Sequence, residues 1–561
     1  MTKLPASDSV DVLVVGGGPV GLLTAFQLAR AGCSVHIVDR DNKLTLGSYG
    51  RANAIYSRSA ELLDQLGLAD GLVEQCHIVR ESYTYNAKGE RVVPGRVWNF
   101  VENIEDTSSY DFGIMLRQQF IEASFRKHLE SQGVSLQHST ECTSFEVSEA
   151  DANGNCITAS MKNVESDSEY VIESKYLVGA DGGRSFVRRH LNIPFEGDTT
   201  QDKWIRIDGK VKTNLPTPRS YGSLESPTHG NVLWAPLDRG VTRIGYVFSP
   251  EQEKACQGNL TQEIIIREAI SAVKPFHLEY ENVDWSTLHT HSSGAAQGLN
   301  TGIHDAANLG WKLALVVKGL AKEALLETYG TERRGAAQRL INFDRKISAL
   351  MANKWPEGLP EKPDDDINAV LAATFDDAKG YNTGLRISYG ENLINYQPKD
   401  CRAYSYISPG SRAPDATLLT VGTLQPIRLQ SATPNRACMY VLAFLGDPRM
   451  TLPQVESFSN SLRDSMSFTS SFSEEAVQLI TIVAAANPQN GAGEAVGLQP
   501  LGRVYFDTKS QAHRRYGVDL RYGSLVVVRP DGYVGFTTGL GLEGGEAVAS
   551  YLGRFLVRKS A

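Results

Sequence analysis

The chain has 561 residues, 41% of them apolar and 21% charged, which is enough for two large domains or three to four of ordinary size. A formal net charge of −8 and a pI near 5.9 argue against broad nucleic-acid binding. No apolar run is long enough to span a membrane, and MTKLPASDSV lacks the basic and apolar regions of a secretion signal. The seven cysteines show no C-x-x-C pair or metal spacing, so a cytoplasmic protein with reduced thiols and no metal is expected.

The first predicted elements lie in SVDVLVVGGGPVGLLTAFQLARAGCSVHIVDR, which reads as strand, turn, helix, strand. Gly16, Gly18 and Gly21 give G-x-G-x-x-G. The first glycine permits the tight turn, the second lets backbone approach a pyrophosphate, and the third lets helix pack close to strand. The helix N-terminus offers unpaired N–H groups and a partial positive charge to phosphates. The second strand ends at Asp39, placed to accept from a ribose hydroxyl, followed by Arg40. This pattern points to a dinucleotide without separating FAD from NAD.

RANAIYSRSAELLDQLGL (51–68) and MLRQQFIEASFRKHL (115–129) follow as helical segments. Next comes YLVGADGGRSFVRRHL (176–191), an apolar strand running into Asp181-Gly182, then Ser185 and Arg188. Taken with the front motif, this set resembles the class A FAD-dependent aromatic hydroxylases, phenol 2-monooxygenase-like enzymes that use NADPH or NADH. The resemblance implies cofactor contacts at Gly16, Gly18, Pro19, Gly21, Asp39, Arg40, Arg51, Gln118, Asp181 and Gly182. Gln119 competes with Gln118 if the register slips, and Arg58 would open the helix after Arg51.

Residues 203–250 contain KWIRIDGKVK, GNVLWAPLD and VTRIGYVF, short alternating stretches that predict a β-sheet. In the resembling family this sheet roofs the flavin, which makes Trp234, Arg243 and Tyr246 substrate-lining candidates. Ordinary sheet packing is the competing reading for Trp234 and Tyr246. Asn53 stands where the phenol-hydroxylating branch carries an aspartate, and an amide cannot act as that base. No catalytic acid or base is assigned.

VDWSTLHTHSSGAAQGLNTG (283–302) reads as a loop of small and polar residues entering a helix near Asn300 and Thr301. Its likeness to the family's third flavin motif implies contacts from the 294–302 loop, with Gly298, Leu299 and Asn300 named. The helix start would stabilise the charge of reduced flavin. The apolar strand ending in Gly-Asp that precedes this loop in the family is absent before His289, and Asp284 follows no apolar strand. Weaker FAD retention than in the family is therefore expected. His289 and His291 read as loop residues, not metal ligands.

KWPEGLPEKPDDD (354–366) reads as an exposed loop, and ISPGSRAPDATLL (407–419) opens a small C-terminal α/β unit, thioredoxin-like in that family and often at a dimer interface. Arg529-Pro530-Asp531-Gly532 reads as a plain turn.

The resulting expectation is an α/β chain with a Rossmann-like, GR2-type FAD-binding domain. Its first part would span 1–195 and its return segment 288–400, with a β-sheet substrate domain inserted at 196–287 and a thioredoxin-like domain at 401–561. The implied reaction uses NAD(P)H and O2 to hydroxylate a small phenolic molecule through a flavin C4a-hydroperoxide. The alternatives are another flavin oxygenation, such as epoxidation, Baeyer–Villiger insertion or dearomatisation, or a catalytically impaired variant lacking the Gly-Asp strand. The partners expected are a small aromatic substrate, O2 and a second copy in a homodimer, with no nucleic acid and no membrane span.

Overall fold

The computed structural model describes residues 8–93, 95, 108–195, 203–256, 259–289, 297–356, 358–359, 366–398, 405–484 and 501–559. The front motif builds a five-stranded sheet in the order Val35–Val38, Asp8–Val15, Glu169–Gly179, Ile157–Asn163, Thr140–Val147. The first three strands run parallel and the last two antiparallel. Val12, Leu13 and Val14 are fully buried, as a central parallel strand requires. On one face Leu22, Leu23 and Phe26 of the helix Pro19–Arg30 share a core with Ile303, Ala307 and Trp311 of the helix Gln297–Val317.

The strand Glu169–Gly179 is covered unevenly. Its first half pairs on both sides, with Asp8–Val15 and with Ile157–Asn163. From Tyr176 to Gly179 it keeps only the first neighbour, and among the described residues no strand pairs its other edge. Leu177 and Val178 are only half-buried there, and Gly179 is exposed.

The second sheet has seven strands in the order Leu278–His289, Lys203–Thr213, Thr242–Phe248, Gly230–Pro236, Tyr221–Ser226, Ser82–Tyr85, Arg91–Val92. Two expectations are corrected here. The substrate sheet recruits residues 82–92 from the segment assigned to the first domain. VDWSTLH, read as loop, is the second half of an edge strand paired with Lys203–Thr213. Its mixed sequence suits an edge, where one side is wet. Side chains alternate strictly: Ile205 and Ile207 turn to a core shared with the helix Gln262–Ala272, whereas Trp204 turns toward Tyr56 and Met115 of the first domain.

The third sheet runs Pro426–Arg428, Thr417–Thr420, Arg503–Phe506, Val477–Val483, Met439–Gly446, Ser524–Val528, Val534–Gly539. Met439–Gly446 and Val477–Val483 are parallel, and the last two strands are antiparallel additions. Phe458 and Val548, from the helices Pro448–Ser461 and Leu542–Gly553, join the same core as the first sheet.

The turn 529–532 is more than a turn. Arg529 is fully buried and donates to both oxygens of Glu332, at 2.6 and 3.0 Å, and to both oxygens of Asp531. Lys312 donates to Glu332 at 2.8 Å, and Asn308 donates to Glu332 and Asp531. Arg58, fully buried, donates to the Asp531 and Gly532 carbonyls and pairs with Glu61, which also takes Arg412. These residues join five separated segments into one buried charge cluster. The reading of Arg529–Gly532 as a plain turn is thereby corrected, because both ionic side chains point inward.

Candidate functional site

At the C-terminal ends of the parallel strands lies an open cleft of about 920 Å³. Its floor is the glycine turn. A Cβ on Gly16 would lie 2.4 Å from the Ala180 carbonyl oxygen, and one on Gly21 would lie 1.9 Å from that of Gly16. Both positions therefore demand glycine for close packing. Gly18 and Gly182 differ: a Cβ on either meets nothing within 4 Å. They leave bare backbone facing the cleft, where a phosphate needs to approach N–H groups. The helix Pro19–Arg30 begins there with Pro19 in its first turn and no side chain capping its N-terminus. The residues present fit the diphosphate half of a dinucleotide.

The walls are organised by hydrogen bonds within the chain. Asp39 accepts from Gly17 N–H at 2.7 Å and Asp41 N–H at 2.9 Å, which fixes it at the cleft edge. Lys43 lies between Asp39 and Glu122, at 3.2 and 3.3 Å, and donates to the Gly17 carbonyl. Arg40 is exposed on the rim. Gln118, not Gln119, lines the cleft. Gln118 accepts from the Arg51 and Ala52 N–H groups and donates to Glu122, whereas Gln119 accepts from Tyr49 N–H. Asp181 turns inward, accepting from the Ser185 hydroxyl at 2.6 Å and from the Phe186 and Val187 N–H groups. Its side chain shapes the turn, leaving the backbone at Gly182 to face a ligand. Cys142 also lines the cleft; burial, with Asp181 nearby, pushes its thiol up to about 12, so it stays protonated and unreactive.

Arg51 couples this cleft to the second sheet. Its N–H is held by Gln118, and its carbonyl accepts from Arg243. Arg243 is itself fixed by a bidentate pair with Asp208, at 2.6 and 2.8 Å, and lies 4.9 Å over the Trp285 ring. Burial first, then the Arg243 and Arg51 charges, pull the neighbouring Arg206 down to about 10. The inward face of the sheet thus carries Arg206 beside the Arg243–Asp208 pair. Burial raises the Tyr56 and Tyr221 phenols, so neither serves as a base at neutral pH. Asn53 is buried, and its Nδ2 has no hydrogen-bond partner among the described residues.

Trp234 and Tyr246, expected beside Arg243, face the other way. Tyr246 donates to the Ile265 carbonyl at 2.7 Å and Trp234 to that of Pro218, and both sit in the outer core. The reason is the two-residue period of a strand: Arg243 and Tyr246 are three apart, so they point to opposite faces. Arg117 was missed. It pairs with Asp238 at 2.8 Å and Asp284 at 2.7 Å, and so ties the start of the helix Gln118–Glu130 to the second sheet. Its position just before the Q-x-x-x-E helix was the available signal.

The helix Gln297–Val317 begins three residues before the expected start. Gly298 is exposed with open space at its Cβ position. Leu299 is buried in the core, and Asn300 clips Tyr56 N–H and the Ala54 carbonyl, so these two side chains serve the fold. His291 and residues 294–296 lie outside the described residues.

Comparison with known proteins agrees with this geometry. Residues 9–275 and 287–344 match the family model described as FAD binding domain, and residues 387–560 match the phenol hydroxylase C-terminal dimerisation domain. Phenol 2-monooxygenase fsqG of Aspergillus fumigatus is 27% identical, with 94% of each chain covered. The 3-hydroxybenzoate 4-monooxygenase of Comamonas testosteroni is 25% identical, over 95% of this chain and 93% of its own. Among solved structures, the flavin-dependent monooxygenase PieE with FAD and substrate superposes with a TM-score of 0.72 at 19% identity, covering 98% of this chain and 99% of its own. Aklavinone-11 hydroxylase with FAD and aklavinone gives 0.70 at 22% identity, covering 99% of each.

Proposed function

This chain belongs to the class A FAD-dependent aromatic hydroxylases and is by family an FAD-dependent monooxygenase, and from that premise we propose that it uses NAD(P)H and O2 to hydroxylate a small phenolic substrate. The observation that carries this reading is the pairing of a bare-backbone dinucleotide cleft with an arginine-bearing sheet face through one residue, Arg51. When bound, FAD supplies hydride acceptance and the activation of oxygen. Gly16, Gly18, Gly21 and Gly182 give its diphosphate a backbone cradle, with Asp39 and Gln118 on the walls. Arg243, fixed by Asp208, holds the Arg51 carbonyl at the junction where ring and substrate would meet. Asn53, an amide, leaves the phenolic proton to another acceptor or to a substrate arriving ionised.

The domain boundaries follow the same reading. The C-terminal strand order, with three parallel strands and antiparallel pairs on either side, supports a thioredoxin-like unit. The matching dimerisation model supports a homodimer through it. The absence of any described helix long and apolar enough to cross a membrane is compatible with a cytoplasmic site of action.

A second reading, a family member with impaired FAD retention, is favoured by one observation. The Tyr176–Gly179 edge, directly beside the cleft, lacks a second neighbour among the described residues. The deciding experiment supplies FAD, NADPH or NADH, oxygen-18 gas and a panel of phenols, and reads products by mass spectrometry. One labelled oxygen atom in a ring-hydroxylated product is the expected result. Nicotinamide oxidation no faster than with free FAD alone, whatever the phenol, would favour the impaired reading.

A further inference from the structure

The helix Pro19–Arg30 has the dinucleotide cleft at its first turn and a second cavity, of about 250 Å³, at its last. The two share no lining residue. The buried body of the helix, with Leu22, Leu23 and Phe26, stands between them over roughly 16 Å. The cavity forms where three helices meet the C-terminal unit. Gln27 and Arg30 come from the first helix, Leu66 from the end of Ser57–Gln65, and Trp311 from Gln297–Val317. Asn435 and Arg436 come from the segment that leads into the strand Met439–Gly446.

Its chemistry is one-sided. No acid lines it, although the chain as a whole carries a net charge of −8. Two guanidinium groups do, and among the described residues neither forms an ion pair. Arg30 is half-buried and held in place, donating to the Leu66 carbonyl at 2.6 Å, and Arg436 is exposed at the rim. Burial first, and then the Arg436 charge, pull the Arg30 guanidinium below its ordinary value, so the two cations stand close enough to repel. Trp311 is 1% exposed, and its indole N–H has no hydrogen-bond partner among the described residues. A buried indole N–H ordinarily finds an acceptor. The amides do not supply one. Gln27 gives its NH2 group to the Leu23 and Ala306 carbonyls, and its oxygen faces Asn435 Nδ2 at 3.5 Å, a long contact that leaves Asn435 with donor capacity to spare.

We propose that this cavity is a binding site for a small oxyanion, a carboxylate or a phosphate, held between Arg30 and Arg436 with the Trp311 indole N–H and the Asn435 amide as further donors. Guanidinium groups meet both headgroups through paired N–H donors, and a charged acceptor strengthens each hydrogen bond. The anion relieves the repulsion between the two arginines and gives the indole its acceptor. It also bridges the helix Pro19–Arg30 to the segment before Met439–Gly446, so its binding stabilises that junction by mass action. The proposal is independent of the flavin chemistry above, because the site lies at the opposite end of the helix from the glycine turn.

The test titrates the full chain with inorganic phosphate and with benzoate by calorimetry, at constant ionic strength set with chloride and with and without saturating FAD. Saturable binding of at least one probe, one per chain and unchanged by FAD, is expected. The tighter of the two identifies the headgroup as phosphate or carboxylate. Affinity should fall at least tenfold in Arg436→Gln, whose side chain is exposed and whose loss leaves the core untouched. The preferred probe should raise the thermal midpoint of the unaltered chain and not that of this variant. Arg30→Gln, which also gives up the bond to Leu66, is the second variant and should weaken binding by a similar factor. No saturable binding of either probe at about 10 mM would overturn the proposal. So would affinity that survives both variants, or binding that FAD displaces, which would put the anion in the cleft.

Discussion

Two regions of the molecule, the cleft and the buried charge cluster, use charge in opposite ways. The cleft is open: glycines expose backbone, and Gly18 and Gly182 face empty space. The cluster of Lys312, Glu332, Arg529 and Asp531 is closed, with every side chain fully or nearly fully buried and each charge met by another. The first arrangement is suited to receive a ligand's charge, and the second has already satisfied its own. Polar groups left without partners inside a protein are costly, so a fold leaves donors free only where something else will use them.

The comparison breaks most sharply at Arg529. Arg529→Met would leave Glu332 and Asp531 buried with one cation fewer, a loss of about 3–5 kcal/mol measurable by chemical denaturation. No comparable loss would follow from removing an exposed rim arginine. Acid offers a second approach. Burial raises the Glu61 carboxyl, but Arg412 and Arg58 outweigh it and hold it at about 2, against an ordinary 4.5. Because the folded value is depressed, the stabilisation is complete above pH 4.5 and is lost as pH falls toward 2. Roughly 3 kcal/mol should disappear across that window. A Glu61→Gln variant should flatten that part of the stability–pH curve.

The glycines sharpen the contrast within the cleft. Gly21→Ala pushes a methyl into the Gly16 carbonyl and should lower both stability and FAD uptake. Gly18→Ala meets no protein atom, so stability should stay within about 0.5 kcal/mol while FAD affinity drops at least tenfold. Equal loss of both quantities in the two variants would refute the claim that Gly18 faces a ligand. The smallest effect is expected at Tyr246. Tyr246→Phe removes one buried hydrogen bond to Ile265, worth about 1 kcal/mol, and should leave the KM for an aromatic substrate unchanged.

What could be read from the sequence follows the same division. The dinucleotide turn is local: thirty-two residues, Asp8 to Asp39, carry its strand, turn, helix, second strand and acid, and all appear in order. Gln118 and the Asp181 turn were found because each sits in a short patterned segment. Arg529, Glu332 and Lys312 were not readable as a cluster, since they lie up to 217 positions apart and meet only through tertiary packing. The Trp234 and Tyr246 assignments failed on side-chain parity. Their strands were recognised, but which face met the first domain depended on pairing that the sequence does not print. VDWSTLH was misread because an edge strand with one wet side is as polar as a loop.

The central claim is that this chain holds FAD despite the open Tyr176–Gly179 edge. The most direct measurement is the visible absorbance spectrum of the purified protein after incubation with FAD and desalting. A retained flavin spectrum, diminished in Gly18→Ala, is the expected result. A protein that stays colourless after saturation with FAD would contradict the claim and leave the impaired family member as the reading that survives.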